Sequence, residues 1–168
     1  MGKITKIIFL DNIKSRVVIV YFVLLALLSW TSLLLQDNES KGALTVLNII
    51  LFVTPLMSLL YTVTYLYDSH DFQVLLLSQP IKRKQIWQSL YMGVSSSLLI
   101  AFLLGAGIPM LMYTDLTTGL ILVLMGCVNT LIFVSLAFLT TMLTSDKTRG
   151  TGVSILVFYS FYSLLYQS

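Results

Sequence analysis

No Asp, Glu, Lys, Arg or His falls inside the long apolar runs of this 168-residue chain, Val17–Leu35, Leu44–Leu66, Ser89–Tyr113, Gly119–Thr144 and Val153–Tyr166. Proton relays, voltage sensors and ion-coupled carriers place ionisable groups within the bundle. Their absence argues against a proton pump, a proton-coupled carrier, an intramembrane protease or another enzyme. Cysteine is nearly as scarce. Cys127 is alone, so it forms neither an internal disulfide nor part of a cysteine metal set. One histidine and one cysteine exclude a protein-only zinc or haem site of the usual kind. No glycine-lysine phosphate loop is present, so the chain does not bind ATP through a P-loop. No basic stretch is interleaved with aromatics as a nucleic-acid groove requires. The sequence thus offers no catalytic, cofactor-binding or metal-binding residue.

Apolar length dominates what is there. Mean hydropathy is +0.92, 57% of residues are hydrophobic and only 10% are charged, against about 25% charged in soluble domains. Roughly 20 apolar residues at about 1.5 Å rise cross a ~30 Å hydrocarbon core. The expected fold is therefore all-α: a single polytopic transmembrane bundle over residues 1–168. Spans are expected near 17–35, 44–66, 89–113, 119–144 and 151–168. The first run also competes with a secretory signal peptide. It continues through Trp30 to Leu35 with no A-x-A site, so a retained span is expected. Thr151 to Ser168 covers about 27 Å, so the chain is expected either to be a piece of a larger membrane protein or to end its fifth helix within the outer leaflet.

The charged residues fall between these runs. Counted by gap, Lys and Arg number four, one, three, zero and two. Basic residues mark the cytoplasmic side, which puts the N-terminus and gaps 67–88 and 145–152 inside, and gaps 36–43 and 114–118 outside. The excess of positive charge then faces anionic cytoplasmic lipid. Residues 1–16 alternate Ile4, Ile7, Ile8 and Phe9 with Lys3, Lys6 and Lys14, the pattern of a helix lying in the interface. Trp30 is expected at the outer interface, and Tyr61, Tyr65 and Tyr67 as an inner aromatic belt. Asn48 and Asn129 are expected to hydrogen-bond between helices. Pro55 and Pro109 are expected to kink theirs.

Two features rise above this pattern. Gly93, Ser97, Ala101 and Gly105 recur every fourth residue, a small-residue face that lets a neighbouring helix approach closely. Gap 67–88 is too apolar for a solvent loop and too charged for a span. Asp68, His70 and Asp71 open it and read as helix-capping groups. Phe72 and Val74–Leu77 form an apolar helical patch, Pro80 ends it, and Lys82-Arg83-Lys84 and Trp87 follow. An apolar patch outside the bilayer needs a cover, and a short helix joined to two spans suits docking into a partner's groove.

Leu75-Leu76-Leu77-Ser78-Gln79-Pro80-Ile81-Lys82-Arg83, with Ile86 and Gly93 beyond, resembles the "LLL-S-x-P-[IV]-x-R" segment of ABC-2 type transporter permeases. In that family this segment carries the cytoplasmic coupling helix that docks on the ATPase. The resemblance implies a permease subunit of the bacterial inner membrane that is not itself an enzyme and holds no cofactor. Its implied partners are an ABC ATPase subunit, a second permease copy and membrane lipid. Phe72, Leu75, Leu76, Leu77, Pro80 and Arg83 would dock; Gly93, Ser97, Ala101 and Gly105 would pack helices. Many family members carry a glycine before the LLL run and a lysine opening the third span, where this chain has Asp71 and Leu90. Family members usually have six spans. Within the family, the chain is most similar to the permease of the nitrous-oxide reductase maturation transporter, linked to copper-site assembly, although no motif marks a substrate. The rival readings are a non-transporting membrane scaffold or assembly protein, and a carrier using only hydroxyls and carbonyls.

Overall fold

The computed structural model describes residues 2–35, 39–69, 83–144 and 146–167. The described residues form an all-α bundle: α1 (Gly2–Lys14), α2 (Arg16–Leu34), α3 (Glu39–Asp68), α4 (Arg83–Phe102), a π-helical turn (Leu103–Gly107), α5 (Ile108–Tyr113), α6 (Leu116–Leu143) and α7 (Lys147–Gln167). Four stretches are long and apolar enough to cross a membrane: Arg16–Leu34, Lys41–Asp68, Lys84–Tyr113 and Leu116–Leu143. They cover the first four expected spans. The expected fifth lies in α7, which is helical over 21 residues but is not among them. Lys147 and Arg149 open it, and Ser154, Tyr159, Ser160 and Tyr162 dilute its apolar content.

The stretch from α4 through α5 is the centre of the bundle. Its most apolar window is 61% buried, against 22% for α2, which presents most of its surface outward. Leu90, Val94, Leu98, Phe102, Ala106 and Met110 follow one another down its inner face, all at most 1% exposed. Lipid tails are as apolar as these side chains, so close packing, rather than water-driven burial, discriminates the folded arrangement. Glycines set several of these approaches. The Phe102 ring lies directly over Gly126 of α6, where an added Cβ would fall 2.1 Å from Cζ. Tyr67 of α3 covers Gly150 of α7 in the same way.

The π turn has a local cause. Pro109 carries no N–H and its ring crowds the carbonyl four residues back. The chain widens just before it, and the Ile108 N–H bonds the Leu103 carbonyl, five residues back. Gly105 and Gly107 lie inside this turn. Thr114 and Asp115 then join α5 to α6 as a tight hairpin, and Thr114 Oγ1 donates to the Met110 carbonyl at 2.5 Å.

Candidate functional site

One end of the bundle gathers α1, the C-terminus of α3 and the N-termini of α4 and α7. Lys147 Nζ lies 2.5 Å from Asp68 Oδ1, joining α7 to α3. Both side chains are more than half exposed, so the pair orients the ends and adds little stability. Tyr67 Oη donates to the Thr144 carbonyl at 2.9 Å and lies 2.7 Å from Thr144 Oγ1, tying α3 to the α6–α7 connection. At the opposite end Trp30 meets Tyr113 edge-to-face at 5.6 Å between ring centroids.

Helix α1 does more at this end than lie in the interface. Ile8 is 1% exposed and Asn12 is fully buried, both turned into the bundle, while Ile7 and Leu10 face outward. Asn12 Nδ2 donates to the Ile8 carbonyl at 2.7 Å, and Tyr61 Oη donates to Asn12 Oδ1. Tyr61 stacks on Tyr65. The expected inner belt of tyrosines is therefore turned inward: Tyr61 joins α3 to α1, and Tyr67 joins α3 to α6 and α7. Each phenol finds a protein partner, which apolar surroundings favour over an unpaired hydroxyl.

The small-residue face of α4 meets α1 and α2. A Cβ on Gly93 would fall 2.4 Å from Ile8 Cγ2, and one on Gly105 would fall 3.0 Å from the Phe22 carbonyl oxygen of α2. Between them Ser97 and Ala101 are buried, and Ser97 Oγ donates back to the Val94 carbonyl at 2.8 Å. Together with Ile13, Val18, Ile19 and Phe22 they line a small apolar cavity of about 170 Å³. The four small residues thus meet the α1–α2 corner, and α1 is seated on α4 by them.

Of the docking residues read from the sequence, Phe72, Leu75, Leu76, Leu77 and Pro80 lie outside the described residues, as do His70 and Asp71. Arg83 is the first residue of α4. The described chain reaches Ser69 on one side and resumes at Arg83 on the other, so this segment leaves from α3 and returns to α4. The expected interhelical bonds of Asn48 and Asn129 do not form among the described residues. Asn48 is exposed. The Asn129 amide nitrogen is buried without a partner, a feature that the sequence alone did not single out. Among the described residues no three of His, Cys, Asp and Glu gather in a cluster that could hold a metal ion. No protein-family model matches the chain, and no curated protein matches it.

Proposed function

We propose that the chain is the membrane-spanning permease subunit of an ABC-2 type, ATP-driven transporter of the bacterial inner membrane. In this reading ATP hydrolysis belongs to a separate ATPase subunit, and a second permease copy completes the pore-forming unit. The observation that carries it is the sequence of residues 72–83, a short apolar stretch followed by Pro80 and a basic run, placed between two helices long and apolar enough to cross a membrane. Its neighbours suit a lever. The segment connects α3 to α4; the span that α4 opens is the most buried of the four candidate spans, and α1 is seated on α4 through Gly93. A push on 72–83 would reach the bundle centre directly. Nucleotide can drive this only if the ATPase binds two arrangements of the bundle with different affinity. A role in copper-site assembly for nitrous-oxide reductase is the substrate context we propose within this class.

The reading is tested by co-expression and co-purification with an ABC ATPase subunit, comparing wild type with Leu76→Asp. The charged side chain in the apolar patch is expected to abolish capture and stimulated ATP hydrolysis while the bundle still inserts. A variant that keeps both sinks the docking assignment. A wild-type chain that captures no ATPase, but binds lipid through Lys82, Arg83 and Lys84, supports a scaffold instead.

A further inference from the structure

We infer that the cavity between α1 and the C-terminal end of α3 is a headgroup site for a phospholipid carrying a primary ammonium, phosphatidylethanolamine. The cavity measures about 550 Å³, within the size of small-molecule sites, about 300–1,000 Å³. Ile7, Ile8 and Asp11 of α1 line one side, and Tyr65, Asp68 and Ser69 line the other. Asp68 is the last residue of α3 and closes Lys41–Asp68, a stretch long and apolar enough to cross a membrane. The cavity therefore lies where that stretch leaves the hydrocarbon and headgroups begin.

The lining selects the occupant. Asp68 shares its charge with Lys147, 2.5 Å away, whereas Asp11 makes no hydrogen bond or ion pair among the described residues. An ionised carboxylate accepts hydrogen bonds and donates none, so its complement is a cation that carries N–H groups. The ring of Tyr65, stacked on Tyr61 with 6.1 Å between centroids, adds an aromatic wall that attracts the same sign of charge. Positive charge is close by as well. Lys14 follows Asp11 by three residues on the same face of α1, and Lys147 adjoins Asp68. Ammonium on the carboxylates and phosphate toward the lysines reproduces the charges of an ethanolamine headgroup. A divalent cation would use the carboxylates and be repelled by the lysines; a phosphatidylglycerol headgroup brings no cation for Asp11. Ile7 and Leu10, 61% and 46% exposed, give the acyl chains an apolar surface on α1. Lipid binding here needs no ATPase, so a failure of the proposed transport function leaves it standing.

The test is lipid retention by the purified full chain, read by native mass spectrometry from neutral detergent micelles containing EDTA. The micelles carry phosphatidylethanolamine, phosphatidylcholine and phosphatidylglycerol in equal amounts. Phosphatidylethanolamine is expected to be retained about three- to tenfold over phosphatidylcholine, whose quaternary ammonium offers no N–H to a carboxylate; that is the effect of one charge-assisted hydrogen bond at a partly solvated site. Asp11→Asn is expected to bring the ratio down to about one. Equal retention of the three lipids, a preference for phosphatidylglycerol, or an unchanged ratio in Asp11→Asn overturns the inference. Soluble phosphoethanolamine that displaces the lipid at equal concentration also overturns it, by making the site one for a free solute. Asp11 is exposed, so its replacement leaves the bundle folded, and the comparison of lipids on the native chain decides the question without it.

Discussion

Glycine and its neighbours decide most at the residue scale. Gly126 and Gly152 are both helical, yet a methyl group meets opposite surroundings at the two positions. At Gly126 it strikes the Phe102 ring, itself fully buried; at Gly152 it meets nothing within 4 Å. An aromatic ring in a packed site cannot retreat without moving its own neighbours, so Gly126→Ala is expected to destabilise by about 1–3 kcal/mol. Gly152→Ala is expected to be neutral or to stabilise by up to about 1 kcal/mol through helix propensity. Thermal unfolding in detergent, with both variants measured side by side, checks the contrast; similar losses at the two sites would refute the Phe102 contact. Such contacts are not legible in a sequence. The spacing of Gly93, Ser97, Ala101 and Gly105 announces a close approach, but the identity of what approaches, Ile8 at one end and the Phe22 carbonyl at the other, depends on residues some 80 positions away.

Elements were legible where hydrophobicity was continuous. The first four spans read directly as uncharged runs, because nothing but a membrane-length helix keeps charge out for so long. Helix α1 was legible as a helix and not as a docked one. Its pattern of Ile and Lys suits lipid headgroups, whereas Asn12, polar by composition, is buried against Tyr61. Tyrosines near a helix end carry the same ambiguity, since one phenol suits an interface and a buried acceptor equally well. Tyr67 is the joint between α3 and the α6–α7 connection, so Tyr67→Phe removes its bonds to Thr144 while leaving the ring on Gly150. The expected loss is about 1 kcal/mol, read as a lowered midpoint of thermal unfolding. A Phe variant as stable as wild type would show that ring packing alone makes the joint.

At the scale of the whole molecule, charge is segregated by end. Lys6, Lys14, Arg16, Lys84, Lys147 and Arg149 lie at the α1 end, with Lys41 and Asp115 toward the other. This segregation predicts orientation. In a Cys127→Ser background, a cysteine at Thr117 is expected to react with an impermeant maleimide added to intact cells, and one at Thr148 only after permeabilisation. The reverse pattern would invert the topology and place residues 70–82 outside, where no ATPase could reach them. The docking residues themselves were read from composition and a resemblance; Phe72, Leu75, Leu76, Leu77 and Pro80 lie outside the described residues, and only Arg83, at the start of α4, is among them. Asn129 shows the complementary limit. A lone asparagine in a span suggests a bond between helices, but only the packed bundle reveals that its amide nitrogen is buried with no partner among the described residues.

The π turn at Leu103–Gly107 bears on how this chain tolerates changes in length. Elsewhere in α4, deleting one residue rotates everything beyond it by about 100° and would swing Met110 out of the core. Within the π turn the chain already holds one residue more than an α-helical turn requires. A deletion there can be absorbed by straightening the turn, so Met110 and the hairpin into α6 keep their facing. The π turn is thus the one stretch of this central span where sequence length, rather than side-chain identity, is free to drift.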